Sequence, residues 1–136
     1  YYDNSFHVSS RINMSPFEKL KLEALGHKYS AGGHISYIET DSLTKNLEAI
    51  PDILRYAKMV GIHYMGINQP VDKCHICGYK GEFTATKEGF TCPQCGNHDS
   101  NEMSVIRRVC GYLSQPNARP FNKGKQEEIM HRVKHS

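Results

Sequence analysis

Four cysteines stand as two Cys-x-x-Cys units, Cys74 with Cys77 and Cys92 with Cys95, and fourteen residues separate the units. Each unit places two thiolates on one tight turn. Two such turns can bring four sulfurs into a tetrahedron around a zinc ion, each at roughly 2.3 Å. A glycine follows each pair, Gly78 after Cys77 and Gly96 after Cys95, and glycine accepts the left-handed backbone that lets amides approach the sulfurs. Because all four ligands are cysteine, the shell is closed and the expected metal is structural. Its binding energy goes into folding a segment too small for a core of its own. Iron held as in rubredoxin, or a pair of disulfides, are the other chemistries this spacing allows. His75 and His98 lie close by and read as surface histidines, since the sulfurs already fill the shell.

A second chemistry is open to Gly111, which lies in the segment Ile106-Arg107-Arg108-Val109-Cys110-Gly111-Tyr112-Leu113-Ser114. A loop glycine is ordinarily a turn residue. Loss of its α-hydrogen, however, leaves a radical that spreads into both flanking amides and needs a near-planar α-carbon. Lacking a side chain, glycine reaches that planarity without steric strain. Spacing alone does not choose between these two roles. Cys110 reads as a small residue packing the segment.

The elements that must position these groups follow from pattern. The 136 residues suffice for one modest domain, or one domain with a small module, and at 38% hydrophobic content without tryptophan the core is not generous. Ser15-Pro16-Phe17-Glu18 reads as a capped helix start, with Phe17, Leu20 and Ala24 on the buried face and Gly26 as the stop. His34 to Glu39 is β-branched and aromatic, a strand pattern. A helix is expected from about Leu43 to Val60, with Leu47, Ile50, Leu54, Ala57 and Val60 as its buried stripe and a kink at Pro51. Ile62 to Ile67 is a second strand, which completes a βαβ order. A single such unit is too little for an independent parallel sheet, so residues 1–70 read as the last part of a larger α/β body. Residues 71–99 form the cysteine-bearing unit, with short strands at Glu82–Thr86 and Gly89–Thr91. Residues 100–120 read as irregular, and Lys125 to Lys134 as a short helix with Ile129, Met130 and Val133 on one side.

Charge and cysteine usage narrow the setting. The net charge is +3, yet Arg107, Arg108, Arg119, Lys123, Lys125, Arg132 and Lys134 outweigh Glu127 and Glu128 from Val105 onward, so the rest is net acidic. Such a basic end suits nucleic acid, nucleotide phosphates, an acidic protein surface or simply solvent. Five cysteines, four of them in Cys-x-x-Cys pairs, favour a metal in a reducing compartment over a disulfide framework. No apolar run of 18 residues and no basic-apolar leader is present, so the expected location is cytoplasmic, without membrane association. The missing initiator methionine is compatible with a fragment or a trimmed chain.

Several segments together resemble the C-terminal region of the anaerobic (class III) ribonucleoside-triphosphate reductases. They are Asn4-Ser5-Phe6-His7, Gly32-Gly33-His34-Ile35, the Tyr64 to Asn68 strand, the two cysteine pairs, Arg108-Val109-Cys110-Gly111-Tyr112-Leu113, Arg119-Pro120-Phe121-Asn122-x-Gly124-Lys125, and Arg132-Val133-x-His135. The resemblance implies an α+β fragment in three parts. Residues 1–70 would end the α/β glycyl-radical-enzyme barrel, 71–99 would be a four-cysteine zinc ribbon on Cys74, Cys77, Cys92 and Cys95, and 100–136 would hold an irregular glycyl-radical loop and a basic tail with a short helix. It implies that Gly111 is the stable radical site. A separate radical enzyme, carrying an iron–sulfur cluster and S-adenosylmethionine, would generate the radical. A cysteine thiol far upstream, matched by no residue here, would become the thiyl that takes the 3′ hydrogen of a ribonucleoside triphosphate. Formate or a thiol system would supply reducing equivalents for making deoxyribonucleotides, and the full-length chain would be a homodimer. This segment alone would be inactive. Arg107, Arg108 and the tail would dock the activating enzyme.

Two other readings compete. One is a zinc-ribbon module for nucleic acid, for which Tyr79, Lys80, Lys87 and Phe90 make a thin set of stacking and basic groups. The other is a free-standing subunit that replaces a damaged glycyl-radical segment, against which the barrel-like first 70 residues argue.

Overall fold

The computed structural model describes residues 7–41, 46–108 and 121–135. Gly111, Cys110, Arg119 and the Asn4-Ser5-Phe6 segment lie outside them, as do residues 42–45, where the second helix was expected to begin. The described residues fall into two compact units, one drawn from Asp3–Gln69 with Arg132–Ser136, the other from Pro70–His131. The architecture is mixed α/β. Among the described residues no helix is long and apolar enough to cross a membrane.

In the unit that holds the amino-terminal half, α1 runs Pro16–His27. The Ser15 side chain accepts from the Glu18 amide while the Glu18 carboxylate accepts from the Ser15 amide, a reciprocal capping box. The buried face differs from the expected one. Lys19, Leu20, Glu23 and His27 turn inward, whereas Phe17 is exposed and Gly26 sits inside the helix rather than ending it. Three polar side chains at i, i+4 and i+8 thus occupy the stripe that apolar periodicity would assign to hydrophobes. They are tolerated because Lys19 pairs with Glu23 and His27 bonds Ser36 at 3.0 Å.

Strands β1 (Ser36–Glu39) and β2 (Met65–Asn68) pair in parallel, Ser36 opposite Met65 through Glu39 opposite Asn68, joined by α2 (Ala49–Val60). This is the expected βαβ order, but α2 is continuous. Pro51 is its third residue, where the missing N–H falls among donors that have no helical partner anyway, so no kink is needed. Gly61 ends α2 in the left-handed conformation at φ 87°. The buried stripe is Ile53 and Ala57; Leu47 and Leu54 are exposed. Ile53 and Ala57 meet Leu20 and Ile38 in a core flanked by Tyr56, Val60, Ile62 and Met65. Gly66 stands opposite Tyr37, and a Cβ there would meet the Tyr37 ring at 3.1 Å. Leu25, Tyr29 and Met59 remain largely exposed.

The last residues return to this unit. The His135 amide donates to the Glu39 carbonyl at 2.9 Å, and the Glu39 amide donates to His135 Nδ1 at 2.9 Å. The Val133 amide donates to Ser10 O at 2.8 Å, Arg132 pairs with Glu39 at 3.2 Å, and Lys134 pairs with Asp41. Both bonds at Glu39 lie on the side of β1 away from β2, which takes the Ser36 and Thr40 amides through Tyr64 O and Asn68 O.

In the other unit, β3 (Asp72–Cys74) lies between β4 (Lys80–Gly81) and β7 (Met103–Ser104), antiparallel to both. A hairpin, β5 (Thr84–Thr86) with β6 (Gly89–Thr91), stands beside it. Residues 100–104, expected to be irregular, instead form a 3-10 turn at Ser100–Glu102 and then β7, and Met103 and Val105 enter the core with Cys74, Phe83 and Cys92. Helix α3 spans Lys123–His131, two residues earlier than the expected start, and its buried residue is Glu128, paired with Lys125 at 2.6 Å.

The buried histidines set a pH dependence. Burial holds His27, His34 and His135 below the ordinary value of 6.5; the neighbouring histidines add to the effect at His27 and His34, and His135 is pushed down to about 4, with Lys19 contributing. Each is neutral in the fold and takes up a proton more readily when unfolded. Their contribution is therefore intact above pH 6.5 and is lost as pH falls, the His135 share continuing to about pH 4. Glu23 follows separately. Burial raises it, but His7 and Lys19 outweigh burial and hold it at about 2, so its share is lost only between pH 4.5 and 2. Denaturant midpoints of this unit should fall from pH 7 to pH 5, and His135→Gln should flatten that slope; a midpoint independent of pH over that range contradicts the assignment.

Candidate metal centre

Two turns of the same construction carry the cysteines. In one, the Cys74 amide donates to Tyr79 O at 2.9 Å and the Gly78 amide donates to Cys74 O at 3.1 Å. In the other, the Cys92 amide donates to Asn97 O at 2.8 Å and the Gly96 amide to Cys92 O at 2.9 Å. Both glycines are left-handed, φ 75° at Gly78 and 71° at Gly96, which is where a side chain would strain the turn. β3 delivers Cys74 to the first turn, and β6 ends just before Cys92.

The four sulfurs, all free thiols, lie within 4.8 Å of one another. Cys74 Sγ is 3.7 Å from Cys95 Sγ and Cys77 Sγ is 3.6 Å from Cys92 Sγ. A disulfide needs about 2.05 Å, so these pairs are not disulfides. A zinc–sulfur distance of about 2.3 Å gives a tetrahedron with edges of roughly 3.8 Å, which these separations match. An all-sulfur tetrahedron suits a soft or borderline cation and disfavours calcium or magnesium. The donor set therefore fits zinc, with no ligand position left open for a substrate.

Backbone amides surround the sulfurs. The Cys77 and Ile76 amides point at Cys74, the Tyr79 amide at Cys77 and the Asn97 amide at Cys95. The Cys77 amide leads in drawing the Cys74 thiol down to about 6. At Cys77 the Tyr79 amide also pulls downward, but burial and the three other thiols drive it up to about 12. Protons thus crowd onto part of the cluster until a cation displaces them, and metal binding releases protons. His75 and His98 are exposed; His75 Nε2 lies 3.0 Å from Ser104 Oγ.

Sequence reasoning missed a buried ionic network beside the centre. Asp72, two residues before Cys74, accepts from the Phe83 amide at 2.7 Å, from the Ile106 amide at 3.1 Å and from Arg107 Nη1. Arg107 Nη2 donates to Phe83 O at 3.0 Å, and the guanidinium carbon lies 5.3 Å over the Phe90 ring. Arg107 is only 8% exposed, so the expected role of this residue in docking a partner is corrected: its charge is spent on Asp72. Nothing in the spacing of Asp72 and Arg107 announces the pair.

A second cluster was also missed. His7, Glu23 and His34 place ligand atoms within 4.8 Å of one another in the other unit. Lys19, however, binds the same Glu23 oxygen that faces His7, so an internal ammonium already holds the place a metal cation would need. The His63 amide donates to His27 Nδ1 at 3.3 Å, which leaves Nε2 of neutral His27 to donate to Ser36 Oγ.

Fold and site together define a mixed α/β chain with four cysteines placed to hold one metal ion. Its residues 1–135 match the family model described as anaerobic ribonucleoside-triphosphate reductase, and the chain belongs to that family. It is similar to the anaerobic ribonucleoside-triphosphate reductases of Enterobacteria phage T4 (50% identity), Escherichia coli (49%) and Haemophilus influenzae (48%), each over 99% of this chain. The chain spans only about a fifth of those relatives, 22% of the phage protein and 19% of the two bacterial ones.

Replacing any one ligand, for instance Cys92→Ser, should take bound zinc from about one ion per chain to nearly none and unfold the ribbon. Acidification should act in the same direction, because protons compete for the thiolates. Elemental analysis across a pH series, with circular dichroism in parallel, checks both; full zinc retention in Cys92→Ser contradicts the assigned ligand set.

Proposed function

We propose that this chain is the C-terminal portion of an anaerobic reductase that converts ribonucleoside triphosphates to deoxyribonucleoside triphosphates, with Gly111 as its radical store. One observation carries the reading. A closed four-cysteine centre is followed by Arg-Val-Cys-Gly-Tyr-Leu, whose glycine stands sixteen residues after Cys95, in a chain about half identical to proteins of that name. Zinc on Cys74, Cys77, Cys92 and Cys95 supplies a rigid fold and no redox chemistry.

In this reading an activating enzyme, itself holding an iron–sulfur cluster and S-adenosylmethionine, removes one α-hydrogen from Gly111. The resulting radical is delocalised over the Cys110–Gly111 and Gly111–Tyr112 amides. For turnover, an upstream cysteine gives its hydrogen atom to Gly111: the S–H bond breaks and the Cα–H bond re-forms. The thiyl then takes the 3′ hydrogen of the bound nucleotide. That thiol, the substrate site and the partner subunit of a homodimer belong to the rest of the reductase, and residues 1–70 are the end of its α/β barrel body. Cys110 adjoins Gly111 in sequence and is not the thiyl residue.

Anaerobic activation of the full-length reductase should give a glycyl doublet in electron paramagnetic resonance. Gly111→Ala should abolish it, and brief air exposure of the activated protein should cut the chain at Gly111, seen by mass spectrometry. A doublet that survives Gly111→Ala overturns the proposal.

A further inference from the structure

The four-thiolate centre and the segment that leads to Gly111 meet at one carboxylate. Asp72 reaches both through short stretches of chain. Two residues after it comes Cys74, whose sulfur stands 3.7 Å from Cys95 and whose strand is clamped between β4 and β7. On the other side, Asp72 Oδ1 takes the Ile106 amide at 3.1 Å and the Arg107 guanidinium, and Oδ2 takes the Phe83 amide at 2.7 Å. Arg107 returns the grip by donating to Phe83 O at 3.0 Å. Gly111 follows Arg107 by four residues.

The side chain of Asp72 is fully buried and that of Arg107 nearly so. A charge pair held out of water persists only with close geometry and additional hydrogen bonds, and this one has them. The guanidinium is a planar fork, so engaging Asp72 and Phe83 O at once fixes its orientation as well as its position. Both ends are specified: the strand that starts the metal turn and the strand that ends where the glycine segment begins. A lysine at 107 could keep the charge but could not hold both acceptors.

We infer that Asp72 and Arg107 are positioning residues that tie the start of the Gly111 segment to the metal centre, so that radical formation at Gly111 depends on this pair even when the metal is fully bound. The inference rests on the radical role proposed for Gly111. It assigns the metal a reach beyond its own turns. Thiolates fix Cys74, Cys74 fixes β3, β3 presents Asp72, and Asp72 fixes Ile106 and Arg107.

The test uses the full-length reductase. Asp72→Asn alone leaves an unpaired buried guanidinium and risks the fold. The double variant Asp72→Asn/Arg107→Gln removes both charges and leaves hydrogen-bonding groups at both positions. Three quantities are measured in the wild type, the double variant and Arg107→Lys: zinc per chain, hydrogen exchange at the Ile106 and Phe83 amides, and the glycyl doublet with its rate of loss under trace oxygen. In the double variant, zinc should stay at about one per chain, exchange at Ile106 should accelerate at least tenfold, and the doublet should fall about tenfold and decay faster in oxygen. Arg107→Lys should lie between it and the wild type. Zinc lost in step with the doublet reduces the pair to a scaffold and overturns the inference, as does a doublet of wild-type size and lifetime in a variant that keeps zinc. If the wild type gives no doublet, the radical reading fails by itself; wild-type exchange at Ile106 in the double variant independently shows that no tether exists.

Discussion

The cysteine-bearing unit depends on four sulfurs being held within 4.8 Å of one another, close enough to share one cation. The strands there are two or three residues long, too short to persist on ladder hydrogen bonds alone. The core that joins them contains two of the ligands, Cys74 and Cys92, beside Phe83, Met103 and Val105. Ligand and core residue are therefore the same atoms. Without a cation, four sulfurs packed within 4.8 Å of one another could not all be ionised, because like charges so close repel. A cation reconciles them at once by replacing the protons.

The other unit solves a different problem. Its apolar core of Leu20, Ile38, Ile53 and Ala57 is small, and beside Leu20 the helix α1 turns Lys19, Glu23 and His27 into the interior. Burying those groups costs free energy unless each finds a partner. Lys19 balances Glu23, and His27 is fixed as the neutral tautomer between the His63 amide and Ser36. Such a polar interior is more exacting than an oily one, because its geometry has to satisfy directional bonds.

Legibility in the sequence followed the range of the interactions. The clustering of the four cysteines could be read because such residues at fixed spacing have few alternative uses, and the capping box of α1 because Ser15 and Glu18 act within one turn. The βαβ order was readable from composition. Pro51 misled: its effect depends on where the helix begins, and boundaries are the least certain part of a pattern. The buried stripe of α1 was hidden because Lys19 and Glu23 look like surface residues until their pairing is known. Asp72 and Arg107 are 35 residues apart in the chain, and no local signal foretells that they meet. β7 was missed for the same reason, since two residues make a strand only when β3 is there to receive them. Gly111 lies outside the described residues, and the role expected of it rests on resemblance to a family rather than on any local pattern.

The return of the final residues onto β1 guards against an unwanted association. His135 bonds the Glu39 amide and carbonyl on the flank of β1 turned away from β2, the kind of strand margin that can receive another molecule's strand. His135 occupies both groups with its own backbone and ring, while Arg132 and Lys134 set positive charges beside Glu39 and Asp41. A chain clipped after His131 would thus carry an adhesive margin, and its first symptom would be self-association rather than a defect in chemistry.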